Sequence, residues 1–375
     1  MENNTITYIF GIGRKRKLAD INNIAKEFFY GYDLFKKEFE NTQIIELNES
    51  KNISSLSRVF IFFDRAMIKI SNMPFFMHQV ISLQNFKKIL KSDYLIITNE
   101  RNAFSSLPMI LLAKVFKKIN ITIIIMGLFS KEPENILKSK VNNLLIILLA
   151  KNINNFIFLS EEEHIHACNE FKKFESNFFF LPFAIDTEFW NIGNQKPKLT
   201  NDILFVGNDG KREYNLLRSI CQNMPEYRFI IVSNQVDKNK LNNLPNLVIH
   251  NGSWKDSNLS DKQLKEIYAK SKLTIIPIKN TLQPSGQSVA LQSYMSKTPV
   301  LITKTKGFWD YKEFKDNENI YFIEKNELDY WTNKIKSILN NQKHAQKVSL
   351  AGYDFVKKNY NLYKFYEGLK KIIKL

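Results

Sequence analysis

The stretch KLTIIPIKNTLQPSGQSVALQSYMSKTPVLIT, residues 272–303, decides the reading of this chain. Its apolar runs at 273–278 and 300–302 read as buried strands, and Pro284 and Ser285 open a helix between them. Strand, loop, helix and strand make a βαβ unit. In such a unit the C-terminal end of the strand and the N-terminus of the helix face one crevice. There the main-chain N–H groups of Gly286, Gln287 and Ser288 present a partial positive charge, a seat for phosphate. Gly286 suits that place because a residue without Cβ lets an anion approach the backbone. A plain turn made by Pro284 and Gly286 is the competing reading, and the three residues P-S-G alone do not decide between the two.

The residues upstream repeat the pattern. Asp202–Val206 reads as a strand leading into GNDGKREYNLLRSI, where Gly207 and Gly210 make a turn and Leu216, Leu217 and Ile220 mark one face of a helix. Lys211 and Arg212 stand where that helix begins, and they face the same crevice as Gly286 if the two strands run parallel. Two cations and two helix starts converging would hold a diphosphate. Arg228–Val232, Leu247–His250 and the runs 298–302 and 320–323 continue the sheet. The loop after His250 carries Asn251, Gly252, Ser253 and Trp254, an edge suited to a nucleotide base. Helical patterns over 327–339, 343–360 and 363–373 close the chain.

The first half alternates in the same way. Strand candidates are Ile6–Phe10, 43–47, 58–63, 94–98, 121–126, 155–159 and 177–181, short and apolar as strands covered on both faces should be. The first ends in FGIGRK, where Gly11 and Gly13 either line the cleft with room for a ligand or make an ordinary βα turn, since Arg16 replaces the third glycine of a dinucleotide fingerprint. The strand 94–98 ends in Asn99, Glu100 and Arg101, ahead of a helix expected to start near Ser105 or Ser106. Residues at such a strand end point into the binding crevice, so these three are candidates for acceptor contact or proton transfer, with Glu100 the candidate base, and an exposed loop ion pair is the competing reading. Gly127 marks another turn at that edge. His78 follows Pro74, Phe75 and Phe76 and reads as packed rather than catalytic. Ser160 caps a helix whose first turn, Glu161 to Glu163, complements the helix dipole. His164 and His166, two residues apart, do not share a helix face, which argues against a metal pair. The polar stretch 191–200 is the linker.

Composition narrows the class. The chain has 375 residues, enough for two domains, and its 44% hydrophobic content is that of a globular protein. Cys168 and Cys221 lie far apart with no metal-binding spacing, which points to a reducing compartment and no metal. No signal peptide is expected from MENNTITYIF, and the longest apolar run, 144–150, is too short to span a bilayer. A net charge of +17 invites a nucleic-acid reading, but the 30 Phe fall largely in apolar runs and not beside a basic stripe, so no nucleic acid is expected. Basic clusters at 14–17 and in the tail, with Lys357, Lys358, Lys364, Lys370, Lys371 and Lys374, are either solvated helix faces or a means of attraction to an anionic inner leaflet.

The second half resembles the group 1 (family four) glycosyltransferases of the GT-B fold, motif after motif in order. FIFLS at 156–160 is similar to the strand that precedes the family's crossing, FLPFAIDTEFW at 180–190 to the crossing itself, and ILFVG at 203–207 to the first strand of the nucleotide domain. PSGQSVALQSYMSKTPVLIT resembles the family's E-G-x-G-x-x-x-x-E signature, and GFWDYKEF occupies the place of its next turn. The resemblance implies two Rossmann-like, doubly wound α/β domains facing a central cleft. Residues 1–185 would bind the acceptor, 186–355 the nucleotide sugar, and 356–375 would cross back as a helix to the first domain.

It further implies a metal-independent glycosyltransferase without cofactor, cytoplasmic or peripheral on the inner membrane face. Such an enzyme moves a sugar from a nucleotide-sugar donor to a glycan or lipid-linked acceptor, in surface polysaccharide or glycolipid synthesis. Lys211 or Arg212 would bind the diphosphate, and the amides of Gly286, Gln287 and Ser288, with Ser285, its distal phosphate. The signature's second acid falls on Gln292, and the first falls at Pro284 or is missing. Those departures leave open an idle nucleotide-sugar-binding subunit beside the active enzyme, and a doubly wound oxidoreductase is the remaining alternative. Closure of the two domains would keep water from the donor.

Overall fold

The computed structural model describes residues 4–48, 55–130, 134–193, 200, 202–237, 244–252 and 259–375. The chain divides into two compact units that are not contiguous in sequence. The first comprises Met1–Asp20, Phe29–Leu181 and Phe365–Leu375; the second comprises Ile21–Phe28 and Pro182–Lys364. The chain therefore passes between units four times, and a short piece of the amino-terminal half, Ile21–Phe28, is built into the second unit.

The first unit holds a six-stranded sheet: β1 Ile6–Phe10, β2 Thr42–Glu46, β3 Tyr94–Ile97, β4 Asn120–Ile125, β5 Asn155–Phe158 and β6 Phe178–Phe180, in the order β2-β1-β3-β4-β5-β6. Every pairing is parallel. The five residues of β1 are all buried, as continuous apolar runs in a sheet covered by helices must be. The second unit repeats the plan with β7 Asp202–Val206, β8 Arg228–Val232, β9 Leu247–His250, β10 Leu273–Ile276, β11 Val300–Thr303 and β12 Tyr321–Ile323. Their order is β12-β11-β10-β7-β8-β9, again all parallel. In each sheet the winding reverses direction at one pair of strands, β1/β3 in the first and β7/β10 in the second, and ligands in open α/β sheets bind at the carboxyl ends of such a pair.

Two sequence expectations need correction. Residues 58–63 are not a strand; they lie inside the helix Ser55–Ser71. The run RVFIFF looks like a buried strand in isolation. The helical period appears only when it is extended: Phe60, Asp64, Met67 and Ser71 face inward, while Val59, Phe62 and Phe63 are exposed. The helix after β3 also begins earlier than Ser105, at Glu100, because the Asn99 side chain caps it by accepting from Asn102 N–H at 2.8 Å.

The last helix, Leu362–Ile373, is amphipathic, and its portion in the first unit is docked there. Phe365, Tyr366, Leu369 and Ile373 are buried. Tyr366 packs edge-on to Phe35 at 4.7 Å, Lys370 Nζ meets Glu38 at 2.7 Å, and the Tyr366 hydroxyl donates to the same carboxylate.

Candidate functional site

The site is built on the carboxyl ends of β7 and β10. Past β7 the chain turns at Gly207, and Arg212 folds back over that strand end: a Cβ on Gly207 would stand 2.6 Å from Arg212 Nε. That is why a residue without a side chain is needed there. The returning segment is stitched to the exit of β10. Lys279 N–H donates to Lys211 C=O at 2.8 Å, Glu213 N–H donates to Pro277 C=O at 3.0 Å, and Arg212 pairs with Ile278 in an isolated antiparallel bridge.

Ile278 is the anchor of this edge. Its N–H donates to Thr303 Oγ1 at 2.9 Å and its C=O accepts from Asn326 Nδ2 at 2.6 Å, so strand exits on both sides of β10 are fixed relative to one another. The loop 282–286 then crosses the same residue. Gly286 has φ +82°, and a Cβ there would lie 2.9 Å from Ile278 Cδ1 and 2.8 Å from Ile276 Cγ2. Arg212 and Gly286 thus meet at one point, Ile278, at the place where the sheet reverses.

Gly286 is the N-cap of the helix Gln287–Met295 and makes no side-chain cap bond; the first bond down the helix runs from Ala290 N–H to Gly286 C=O at 2.9 Å. A helix start of this kind directs the N–H groups of its first turn outward. Two polar groups nearby are buried with atoms that make no hydrogen bond. Arg212 is 3% exposed, and its Nε and Nη1 make no hydrogen bond, although Nη1 is ion-paired with Asp209 Oδ2 at 3.2 Å. Ser285 Oγ is likewise buried and unsatisfied. Buried donors without acceptors are uncommon, because each costs about 1–3 kcal/mol. Here Ser285 directly precedes the start of a helix that offers positive potential, and Arg212 pairs with Ile278, against which that helix start packs. A cavity of about 610 Å³ adjoins, lined by Glu213, Asn280, Lys304, Lys306 and Tyr311 among others.

Sequence reasoning placed Gly207, Lys211, Arg212, Ser285, Gly286, Gln287 and Ser288 at one crevice, and the structure puts them on the two facing strand ends. Lys211 is half-buried. Ser253 and Trp254 lie outside the described residues. The neighbouring Gly252 C=O accepts from Asn208 Nδ2, and Asn208 Oδ1 accepts from Asn234 N–H at 2.8 Å, so one side chain ties the loops after β7, β8 and β9.

Gln292 stands one turn beyond Ser288 on the same helix face. Its Oε1 accepts from the Tyr268 hydroxyl at 3.2 Å, and its Nε2 donates to Glu27 Oε1 at 2.8 Å. Glu27, from the segment Ile21–Phe28, also accepts from Trp190 Nε1 at 2.9 Å and, through Oε2, from Asp186 N–H at 3.4 Å. Burial, only partly offset by these hydrogen bonds, pushes the Glu27 carboxyl up to about 7. No sequence signal pointed to Glu27: its partner Gln292 is 265 positions away.

In the first unit the corresponding strand ends gather two carboxylates. Glu100 Oε2 accepts from Met126 N–H at 3.3 Å, beside Gly127 with φ +105°. Glu163, read from sequence as a helix-dipole partner, is wholly buried and accepts from Phe129 N–H at 3.1 Å; burial first, and the charge of Glu100 second, push it up to about 8. Asn99 is spent on its cap, Arg101 is exposed over the Phe76 ring at 5.0 Å, Gly11 has open space around it, and Gly13 caps the short helix Arg14–Leu18 with φ +90°. His78 is held by Asp64 at 2.7 Å. Among the described residues no group of three or more His, Cys, Asp or Glu side chains gathers as a metal site would.

Two parallel doubly wound sheets, with buried donors at the reversal point of the second, define the class as GT-B. Residues 186–355, less than half of the chain, match the model of the glycosyl transferases group 1 family. The whole chain is similar in fold to the Anabaena protein HepE solved in complex with UDP, at 9% identity, 99% of each chain and a TM-score of 0.67. It is similar also to sucrose-phosphate synthase from Thermosynechococcus elongatus, at 10% identity over 99% of this chain and 98% of that one, TM-score 0.67. A glycosyltransferase from Rickettsia africae aligns at 14% identity over 100% and 98%, TM-score 0.66. No curated protein matches the chain.

Proposed function

We propose that the chain transfers a sugar from a nucleoside-diphosphate sugar to an acceptor hydroxyl, without a metal, in the building of a glycan or glycolipid. The observation that carries this is the meeting of Arg212 and the Gly286 helix start at Ile278, with Arg212 Nε and Nη1 buried and unsatisfied. As the bond from the anomeric carbon to the diphosphate oxygen breaks, negative charge grows on the leaving group, and fixed donors aimed there stabilise it. The acceptor oxygen bonds to the anomeric carbon as its proton passes to a base. HepE has been solved with UDP and with UDP-glucose, which makes UDP the first nucleotide to try.

Gln292 at the position of a signature acid, with its amide already bonded to Glu27 and Tyr268, favours a second reading, a subunit that binds donor without turnover. Release of UDP from UDP-sugars in the presence of acceptor separates the two: the active enzyme releases it and the idle subunit does not.

A milder substitution probes the same geometry. Gly207→Ala should leave the backbone unstrained but push the Arg212 side chain aside, since the new Cβ would fall 2.6 Å from Nε. UDP affinity measured by calorimetry should fall roughly tenfold, the cost of misplacing one charge-assisted hydrogen bond. Unchanged affinity would mean that Arg212 does not meet the ligand.

A further inference from the structure

The helix Ser55–Ser71 has an outward face that water does not explain. Its inward face packs Phe60 and Met67 on the core of the first unit, while at 100° per residue Val59, Phe62, Phe63, Ala66 and Ile70 fall within about 100° of arc on the opposite side. All five are exposed, Phe62 to 71%. Arg58, Arg65 and Lys69, also exposed, line one margin of this stripe. The helix has one acid, Asp64, and it is buried, accepting Met77 N–H at 2.8 Å and holding His78.

A neighbouring helix continues the surface. Ile136–Asn152 packs beside Ser55–Ser71, buries Leu145, Ile146 and Leu149 in the same core, and turns Ile136, Leu137 and Leu144 outward, Ile136 to 77%. Its charged residues are Lys138, paired at 2.6 Å with Glu134 just ahead of the helix, and the exposed Lys140 and Lys151; the helix itself has no acid. The exposed faces of the two helices are therefore apolar and basic together. Neither is long and apolar enough to cross a membrane.

We propose that these two helices form a membrane-docking face, lying in the plane of an anionic lipid surface with the Phe62–Phe63 stripe at the level of the acyl chains. An apolar stripe with a basic margin is the arrangement that binds an interface by buried area and by attraction to anionic headgroups at once. A second copy of the chain fits less well, because face-to-face pairing would bring like charges together. The surface is separate from the basic clusters noticed in sequence: of the tail, Lys370 is already paired with Glu38. It is also independent of the donor-site reading, since it lies wholly on helices of the first unit.

The test is co-sedimentation of the full chain with vesicles of phosphatidylcholine alone and with about 30% phosphatidylglycerol, in low salt and in about 0.5 M salt. The chain should pellet with the anionic vesicles, weakly with the neutral ones, and less in high salt. Phe62→Asp with Phe63→Asp should reduce the binding by about tenfold or more, as should Arg58→Glu with Arg65→Glu and Lys69→Glu. Both sets replace exposed side chains, so the melting temperature and UDP affinity should hold. Absence of binding to anionic vesicles overturns the proposal, as does binding that neither set of variants weakens. A dimer that the Phe62 and Phe63 changes dissolve, in a chain indifferent to vesicles, also overturns it by assigning the face to protein.

Discussion

Arg212→Ala should abolish measurable UDP binding while leaving the protein folded. The guanidinium is 3% exposed, Nε and Nη1 make no hydrogen bond, and its one ion pair is to the part-exposed Asp209, so removing it discards two donors without hydrogen bonds and gives up a single ion pair. In the complex the same donors would meet a diphosphate in a site shielded from water, and truncating one partner of a buried, hydrogen-bonded charge pair costs about 2–5 kcal/mol, or roughly 30-fold to several thousandfold in affinity. Lys at this position should recover only part of the loss, because an ammonium lacks the planar fork. Lys211→Ala should do less, since that side chain is half-exposed. Calorimetric titration with UDP checks all three. A chain in which Arg212→Ala binds UDP as the parent does would remove the guanidinium from the site.

Glu27→Gln should alter how stability depends on pH. The carboxyl is pushed from 4.5 up to about 7 by burial, with Gln292, Trp190 and the Asp186 amide as donors and the charge of Asp186 opposing ionisation. Between those two values the folded chain keeps a proton that the unfolded chain has released, so stability is highest below about 4.5, falls as pH rises and levels off above about 7. The full fall is about 3 kcal/mol. A glutamine has no proton to hold: its Oε1 can accept from Gln292 and Trp190 as before, and only the longer contact to Asp186 N–H is lost. Relative to the parent, the variant should therefore gain about 2–3 kcal/mol between pH 5 and pH 8. Urea unfolding midpoints at the two pH values read this directly. The surrounding charges are few: Asp186 beside it, and on the helix Asp261–Lys270 Lys265, which faces Asp186, and Asp261, which accepts Ala25 N–H at 3.0 Å. Parallel pH profiles for parent and variant would show that Glu27 titrates normally.

The strand ends and the helix start at the proposed site were legible because Pro284, Gly286, Gly207 and the apolar runs around them are local signals. Parallel strands buried on both faces also announce themselves as unbroken apolar runs, which is why both sheets could be drawn from sequence. Residues 58–63 failed for a physical reason: on a helix whose outer face is itself apolar, the polar half of the period is missing, and the run imitates a strand. Glu163 showed only a first-turn acid; whether such a residue faces solvent or the β4–β5 edge depends on packing no local pattern encodes. Glu27 is the extreme case. Its environment is made by Trp190, Asp186 and Gln292, and the segment carrying it joins the second unit, so neither its burial nor its proton could be read from KEFFY.

The most direct measurement is a crystal structure of the chain with UDP. The β-phosphate should lie at about 2.7–3.1 Å from Arg212 and from main-chain N–H groups of residues 286–288, above Ile278 at the ends of β7 and β10. UDP found elsewhere on the chain, or a diphosphate that leaves Arg212 Nε and Nη1 without a partner, would contradict the account.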